Sequence, residues 1–590
     1  MNISLFTITC VVLPCWLIAK AQPNVIVMLA DDAGWGDYHS SGNMNLETPQ
    51  IDSIAKNGIR FENFYVCSVC SPTRAEFLTG RYYLRTGVHG VSLGAERLNL
   101  DERTIADSFK AAGYATGAFG KWHNGSQYPY HPRARGFDEF YGYTAGHWGE
   151  YIDPPLERNG RMERAKGYIV DACTDEAIRF IKKNKDAPFF CYVPFTTPHS
   201  PWAVPESYWA RFKNKELKLE GPGGDETPDF TRCALAMIEN QDWNVGRILK
   251  TLEELNISEK TIVVYFSDNG PNSGRWNGGM KGRKGSVDEG GLRSVCYLRW
   301  PSKVKGGLSV DTVCSAMDLM PTLLSLAEVK RVGDKPLDGL DVSPLMRGEP
   351  VNWNDRMIFS VWGKQASVRT QKYRGKAKEL YDIQSDRGQT RNIAAEQPDV
   401  ANKLAIALNS WKLSLPDLKA DTRSTGTVDP RKIDIGYDVF PVTMLPARDG
   451  EPYGGITRSS SAPNCSYFIN WTSTEDKLVW NVDVQQEADY DVTIDYTCPA
   501  SDVGALVELS LNEATLKAKI TEAWNPPLYT NQDTVHRPKA ESHMKPFKNL
   551  KLGTIHLKKG SGSLTLRAIE VPGETVMDLR RVTLTLIKPV

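Results

Sequence analysis

The sequence has no excess of charge of either sign. Across 590 residues, Lys+Arg and Asp+Glu both number 71, a balance that argues neither for nor against a polyanion, and nothing points to nucleic acid. No segment approaches the roughly 18 uninterrupted apolar residues that a membrane-crossing helix requires, so no integral membrane segment is expected. There is also no second Cys-x-x-Cys to accompany Cys67-Ser-Val-Cys70. A four-thiolate zinc site is therefore incomplete, and a disulfide or half of a zinc site remains as the plain reading of that pair.

The longest apolar run is at the start. It extends from Leu5 to Ala19 and ends in Ala19-Lys20-Ala21, an A-x-A-like cleavage site before Gln22. Residues 1–21 read as a signal peptide although a positive n-region is missing. Cys15 follows Leu13-Pro14, where a lipoprotein box wants a small residue, so lipid anchoring is the secondary alternative. The protein is expected to be periplasmic or secreted. Of 11 cysteines, Cys10 and Cys15 leave with the leader. Cys191 and Cys296 lie in apolar, strand-like runs, where a buried free thiol is expected.

With 41% hydrophobic and 24% charged residues, the chain is long enough for two or more domains. Asn24-Val-Ile-Val-Met-Leu-Ala30 is a continuous apolar run of strand length, as expected for a strand covered on both faces of an α/β sheet. It stops at Asp31-Asp32. Adjacent carboxylates at the end of a buried strand repel one another and are costly to desolvate unpaired, so a cation explains them economically; a solvated turn is the plain alternative. Open α/β sheets place ligands beyond the carboxyl ends of their strands. Thr261–Phe266 repeats the pattern and ends in Ser267-Asp268-Asn269. Asp31, Asp32, Asp268 and Asn269 supply only oxygen donors, which suits Ca2+ or Mg2+ and disfavours zinc.

Further strands are expected at Ile59–Tyr65, Tyr114–Phe119 and Phe189–Val193, with helices after Thr48, over Ile105–Ala112 and around Ile238–Leu255. The strand ending at Phe119 leads into Gly120-Lys121-Trp122-His123. On extended chain a Lys and a His two residues apart project to the same side and can converge on one ligand, although an isolated Lys-x-His is more often surface decoration. Pro198 and Pro201 flank His199 and restrict its backbone, which argues for a presented histidine rather than a core one.

In Cys70-Ser-Pro72-Thr-Arg74, Pro72 restricts Ser71 and helps display position 70 at a turn, Ala75 to Leu78 read as the start of a helix, and Arg74 lies one turn away. A thiolate nucleophile at Cys70 would need a nearby base or cation. Together with Leu78-Thr79-Gly80, this stretch resembles the signature of the type I sulfatases of the alkaline-phosphatase-like superfamily, whose signature cysteine is oxidised to formylglycine. Gly120–His123, Gly136-Phe-Asp-Glu-Phe-Tyr-Gly142 and Lys281-Gly-Arg283-Lys284…Glu289-Gly-Gly291 agree with it in order, so the resemblance spans residues 24–415.

The resemblance implies an α/β catalytic domain over 22–415, closed by a small antiparallel subdomain at about 355–415 that ends near Trp411. It implies one Ca2+, in preference to Mg2+, on Asp31, Asp32, modified Cys70, Asp268 and Asn269. Cys70 would be formylglycine (3-oxoalanine), whose hydrate attacks sulfur with one hydroxyl and expels sulfate with the other. Lys121 and Lys284 would bind sulfate oxygens, the register against Glu289-Gly-Gly selecting Lys284 over Lys281. His199, helped by Lys284, would serve the leaving oxygen, His123 the release of sulfate, and Arg74 would orient residue 70. His147 lies where the family varies its substrate contacts and is a substrate-binding candidate. A formylglycine-generating maturation enzyme is an implied partner.

Residues 416–435 are polar and read as a linker. Beyond them, short alternating runs such as Leu478–Val482, Tyr490–Tyr496 and Val582–Leu586 argue for a β-sandwich over 436–590. It is similar to the galactose-binding-like modules of secreted carbohydrate-active enzymes, with a purely structural role equally open. Leader and module favour a sulfated carbohydrate, algal or glycosaminoglycan, as substrate. A phosphonate or phosphate ester hydrolase and a non-catalytic sulfated-glycan-binding protein are the alternatives.

Overall fold

The computed structural model describes residues 22–588 apart from 220, 222–225, 348, 350–355 and 417–426. The expected leader, 1–21, and half of the expected linker lie outside the described residues.

Asn24–Ala30 is a central strand of a ten-stranded sheet. Its alternate side chains feed two cores. Ile26, Met28 and Ala30 pack beneath the helices Ile169–Lys183 and Pro228–Glu254. Val25, Val27 and Leu29 pack beneath Cys70–Thr79, Ile105–Ala111 and Ala316–Leu326. Burial on both faces is why the run shows no polar alternation. Thr261–Ser267 lies on one side of it, and Phe189–Pro194, Ala115–Lys121 and Glu139–Tyr143 follow in order on the other, all parallel. Their carboxyl ends therefore share one edge of the sheet, where Asp31, Asp268 and Lys121 fall.

Two local expectations differ from the structure. Ile59–Tyr65 is not one strand: Ile59–Phe61 joins the large sheet and Phe64–Tyr65 a separate three-stranded one. The break falls at polar Glu62-Asn63, whose backbone and side chain bond to Val310 and Asp311, and it redirects the chain toward Cys70. Position 70 is also not displayed ahead of the helix but is its first residue, in Cys70–Thr79. Pro72 is compatible because the first-turn N–H groups of a helix have no intrahelical acceptor to lose.

The strands Ile358–Trp362, Gln365–Arg369, Tyr373–Gly375 and Leu380–Asp382 form a small antiparallel sheet against the helix Pro398–Leu413. Buried Glu289 ties this sheet to the catalytic domain, accepting from Arg374 at 2.7 Å and from Tyr65 Oη at 2.6 Å. Gly290 and Gly291 let the neighbouring backbone approach: a Cβ there would stand 2.3 Å from the Gly282 carbonyl and 2.1 Å from that of Ser286.

After these come two further sheets of six strands each around one core containing Trp471, Trp480, Tyr490, Ile494 and Leu566. The first of their strands, Ile433–Ile435, begins inside the stretch expected to be linker. Two of the charged residues before it bond the catalytic domain: Asp429 N–H the Leu93 carbonyl at 2.7 Å and Arg431 the Arg97 carbonyl at 2.9 Å. The sandwich docks on the α/β domain through Gln532, which accepts from the Tyr151 and Ile152 N–H groups, and through Arg580 on Glu150. Among the described residues no helix is long and apolar enough to cross a membrane. The nine described cysteines are unpaired and buried, so Cys67 and Cys70 form no disulfide.

Candidate active site

Three carboxylates and three cations meet at the shared edge of the sheet. Lys121, the last residue of its strand, places Nζ 2.7 Å from Asp31 Oδ2. Lys284 Nζ lies 2.7 Å from Asp32, whereas Lys281 instead stands over the Tyr381 ring. Arg74 donates to Asp268 from Nη2 at 2.8 Å and from Nε at 3.2 Å, and to the Lys121 carbonyl at 2.8 Å. It thus holds the groups around residue 70 through Asp268 and the Lys121 backbone. Asn269 Nδ2 donates to Asp32 Oδ1 at 2.8 Å. Thr73, one turn into the helix that Cys70 begins, donates to the Asp268 carbonyl at 2.6 Å and accepts from the Cys67 N–H. The helix start is thereby pinned to the second acidic corner.

Ligand atoms of Asp31, Cys70 and Asp268 lie within 4.8 Å of one another. Asp31 Oδ1 and Asn269 Oδ1 are buried without a hydrogen-bond partner. Burial raises Asp31 to about 8, Lys121 pulling it down and Asp268 and Asp32 pushing it further up. Burial would raise Asp32 as well, but Lys284, His199 and Lys121 together hold it below the usual carboxylate range. A hard divalent cation fits this donor set: it would complete the two orphaned oxygens and offset the mutual repulsion of the carboxylates. Asp31, Asp32, Asp268, Asn269 and residue 70 could hold it. Burial pushes the Cys70 thiol up, outweighing Lys121 and Lys284. A protonated thiol is neither a nucleophile nor a good ligand for a hard ion, whereas an oxygen at position 70 would be both.

The histidines arrive by different routes. His123 lies past the end of its strand with φ 67°, so the same-side projection expected of extended chain does not apply to it. Its Nε2 contacts the Val91 carbonyl at 2.8 Å. Burial, followed by Lys121, holds it well below its ordinary pKa. His199 follows the strand Phe189–Pro194, with Nδ1 2.6 Å from the Ser200 carbonyl and Nε2 3.6 Å from Asp32 Oδ2. Desolvation lowers it to about 3, against the pull of Asp32. His147 packs against it with ring centroids 5.4 Å apart.

One residue at this site was not anticipated. Glu541, from the sandwich, accepts a hydrogen bond from Ser200 Oγ and places Oε2 3.5 Å from His147 Nε2. The stretch that carries it, between the strands Ala514–Lys519 and Lys548–Leu557, has no periodicity and no motif, so no sequence signal marks it.

The arrangement gathers cations about one point next to residue 70, as required to bind a tetrahedral oxyanion, with imidazoles to one side. A family model described as Sulfatase matches residues 23–329. N-acetylgalactosamine-6-sulfatase of Mus musculus is 32% identical over 378 residues, 58% of this chain and 69% of its own length. Arylsulfatase A of Homo sapiens is 29% identical over 498 residues, covering 72% of this chain and 92% of its own. Among solved structures, Ps i-CgsB in complex with k-i-k-neocarrahexaose superposes with a TM-score of 0.62 at 28% identity, covering 68% of this chain and 96% of that one. The charge constellation at the sheet edge and these matches lead to one conclusion: the chain is a sulfuric ester hydrolase and belongs to the sulfatase family.

Proposed function

We propose that the protein is an exported, Ca2+- and formylglycine-dependent sulfatase that removes sulfate from a carbohydrate. The observation that carries this reading is the pairing of Lys121, Lys284 and Arg74 with Asp31, Asp32 and Asp268 around residue 70. The lysines stand against the carboxylates; a cation on the carboxylates would free both ammonium groups for sulfate oxygens.

A hydrated aldehyde at residue 70 would supply one hydroxyl to attack sulfur and a second to expel the sulfate. Around it the chain's own residues act by position. Lys121 and Lys284 bind sulfate oxygens and offset charge as it redistributes in the transition state. His199 is fixed by the Ser200 carbonyl at Nδ1, so that Nε2, 3.6 Å from Asp32 Oδ2, would face the leaving oxygen. A bound anion raises its proton affinity and favours the protonated form that donates. His123, with an unpartnered Nδ1, accepts the proton at sulfate release. Arg74 keeps Asp268 and the Lys121 backbone in register.

A carbohydrate substrate is supported by the relatives, one named for N-acetylgalactosamine 6-sulfate and another solved with a neocarrahexaose, and by the leader and the β-sandwich. The test is sulfate release by chain co-expressed with a maturation enzyme, using N-acetylgalactosamine 6-sulfate and a carrageenan hexasaccharide, with 4-nitrophenyl sulfate and phosphate alongside. The expected result is sulfate from at least one sugar and a sulfate ester rate well above the phosphate rate. A faster phosphate rate with no sulfate from any sugar would contradict the reading and favour a phosphoester hydrolase.

A further inference from the structure

The β-sandwich sits close to the reaction centre. Its segment from Tyr529 to Lys545 reaches over the carboxyl edge of the catalytic sheet and is tied down at both ends. Arg537 bonds Asp533, the Ser542 carbonyl at 2.6 Å and, across the domain boundary, the Gly149 carbonyl at 3.0 Å. Ala462 N–H bonds the Ala540 carbonyl at 2.8 Å. Thr534 bonds the backbone of Val204. This fastening places Glu541 beside Ser200 and His147.

Three polar atoms there are buried without a hydrogen bond: Glu541 Oε2 and both ring nitrogens of His147, with Oε2 and Nε2 facing each other at 3.5 Å. Their side chains are only 9% and 5% exposed. The same condition holds at Asp31 Oδ1, Asn269 Oδ1 and His123 Nδ1, the atoms assigned to the cation and the sulfate. Groups left in this state inside a protein are costly unless a ligand completes them.

Contacts give the direction. His199 touches Asp32 on one side and His147 on the other, and His147 in turn touches Glu541. Glu541 is thus separated from the carboxylate cluster by the residue that faces the leaving oxygen, which puts it on the side of the alcohol rather than of the sulfur. The alcohol of a carbohydrate sulfate is a sugar ring. A carboxylate accepts hydrogen bonds from paired hydroxyls and repels a second anion; of the cations in this segment, Arg537 is engaged by Asp533 and two backbone carbonyls, Lys545 by Asp578, and Lys539 is exposed.

Resting on the sulfatase reading, we propose that the β-sandwich completes the active site. Glu541 and His147 form a subsite for the free hydroxyls of the sulfated sugar ring, and Glu541 selects a ring that carries no second anionic group.

The test compares wild type and E541Q, both carrying the aldehyde, on N-acetylgalactosamine 6-sulfate, its 4,6-disulfate and 4-nitrophenyl sulfate. The glutamine keeps the shape but loses the charge. The expected result is a fall in kcat/KM on the monosulfated sugar about tenfold or more beyond any fall on the aryl ester, mostly in KM. The preference for monosulfated over disulfated sugar should narrow by a similar factor. Ser200→Ala, which removes the hydroxyl that orients Glu541 while leaving its charge, should shift both ratios in the same direction by less, and it serves if E541Q does not fold. Equal losses on sugar and aryl ester, with an unchanged mono- to disulfate ratio, would overturn the subsite. So would inhibition by micromolar Zn2+ that E541Q relieves without altering selectivity, since the cluster would then be a metal site. Wild type that cleaves none of the three esters would count against the sulfatase reading itself.

Discussion

The two halves of the active site are built on opposite principles. In the inner half every charge has an opposite: Asp31 with Lys121, Asp32 with Lys284, Asp268 with Arg74. The outer half, His147 and Glu541, has neighbours but few bonds, and three of its polar atoms make no hydrogen bond. The inner residues come from strand ends, one helix and the loop that carries Lys284, all of a single domain, whereas the outer wall is assembled from loops of two. Charge pairs keep the inner site formed before anything binds, because an unpaired buried charge would be too costly to retain. The outer wall instead leaves hydrogen bonds unmet at His147 and Glu541, and such openness can serve selectivity.

The contrast is broken most sharply at residue 70. Cys70→Ala should reduce sulfate ester turnover by about 10^4-fold or more, since the nucleophile is lost. The melting temperature should stay within a few degrees, as Sγ makes no hydrogen bond among the described residues.

Glu289 tests whether the inner half depends on its backing. It is fully buried against Arg374, Arg369 and Arg293. Glu289→Gln leaves three cations short of a counter-charge and should cost about 3–5 kcal/mol in chemical denaturation. Burial would raise the Glu289 carboxyl, but the three arginines hold it down at about 2. A depressed carboxyl contributes stability that is complete above its unfolded value of about 4.3 and lost as pH falls through the folded one. Wild type should therefore lose stability between about pH 4 and pH 2, and the variant should lose less over that window.

Chelation separates the halves by chemistry. EGTA should lower turnover on sugar and aryl sulfate alike by about 10^2- to 10^3-fold, and Ca2+ should restore both. An effect confined to the sugar would place the cation in the outer wall instead. The smallest expected change is at His147: His147→Gln should raise KM on a sulfated sugar about three- to tenfold, one hydrogen bond's worth, while kcat on the aryl ester changes little. Equal loss on both substrates would move His147 into the inner half.

The same contrast explains what could be read from sequence. Asp31-Asp32 and Asp268-Asn269 were legible because each ends a doubly buried strand, a context in which carboxylates need a reason. Lys284 was legible by its register against Glu289-Gly-Gly, whose glycines are demanded by backbone contact. The helix start at Cys70 was placed a few residues late, because Pro72 reads as a turn residue when it is equally at home in a first helical turn. His123 was found for an incomplete reason: its left-handed backbone cannot be read from a Lys-x-His spacing. The latter half of the expected linker reads as polar connecting chain, yet Asp429 and Arg431 bind the catalytic domain's backbone. Glu541 could not be found at all. Its position depends on how two domains dock, through Gln532, Arg537 and Arg580, and long-range docking leaves no local pattern.

The central claim is that residue 70 carries the reaction as an aldehyde. Peptide mass spectrometry of the 70-containing fragment, on the same preparation assayed for sulfate release, addresses it most directly. The account predicts the mass of formylglycine at position 70, with sulfate release rising in proportion to the converted fraction across preparations. Full sulfate release from chain whose residue 70 is entirely thiol would contradict it.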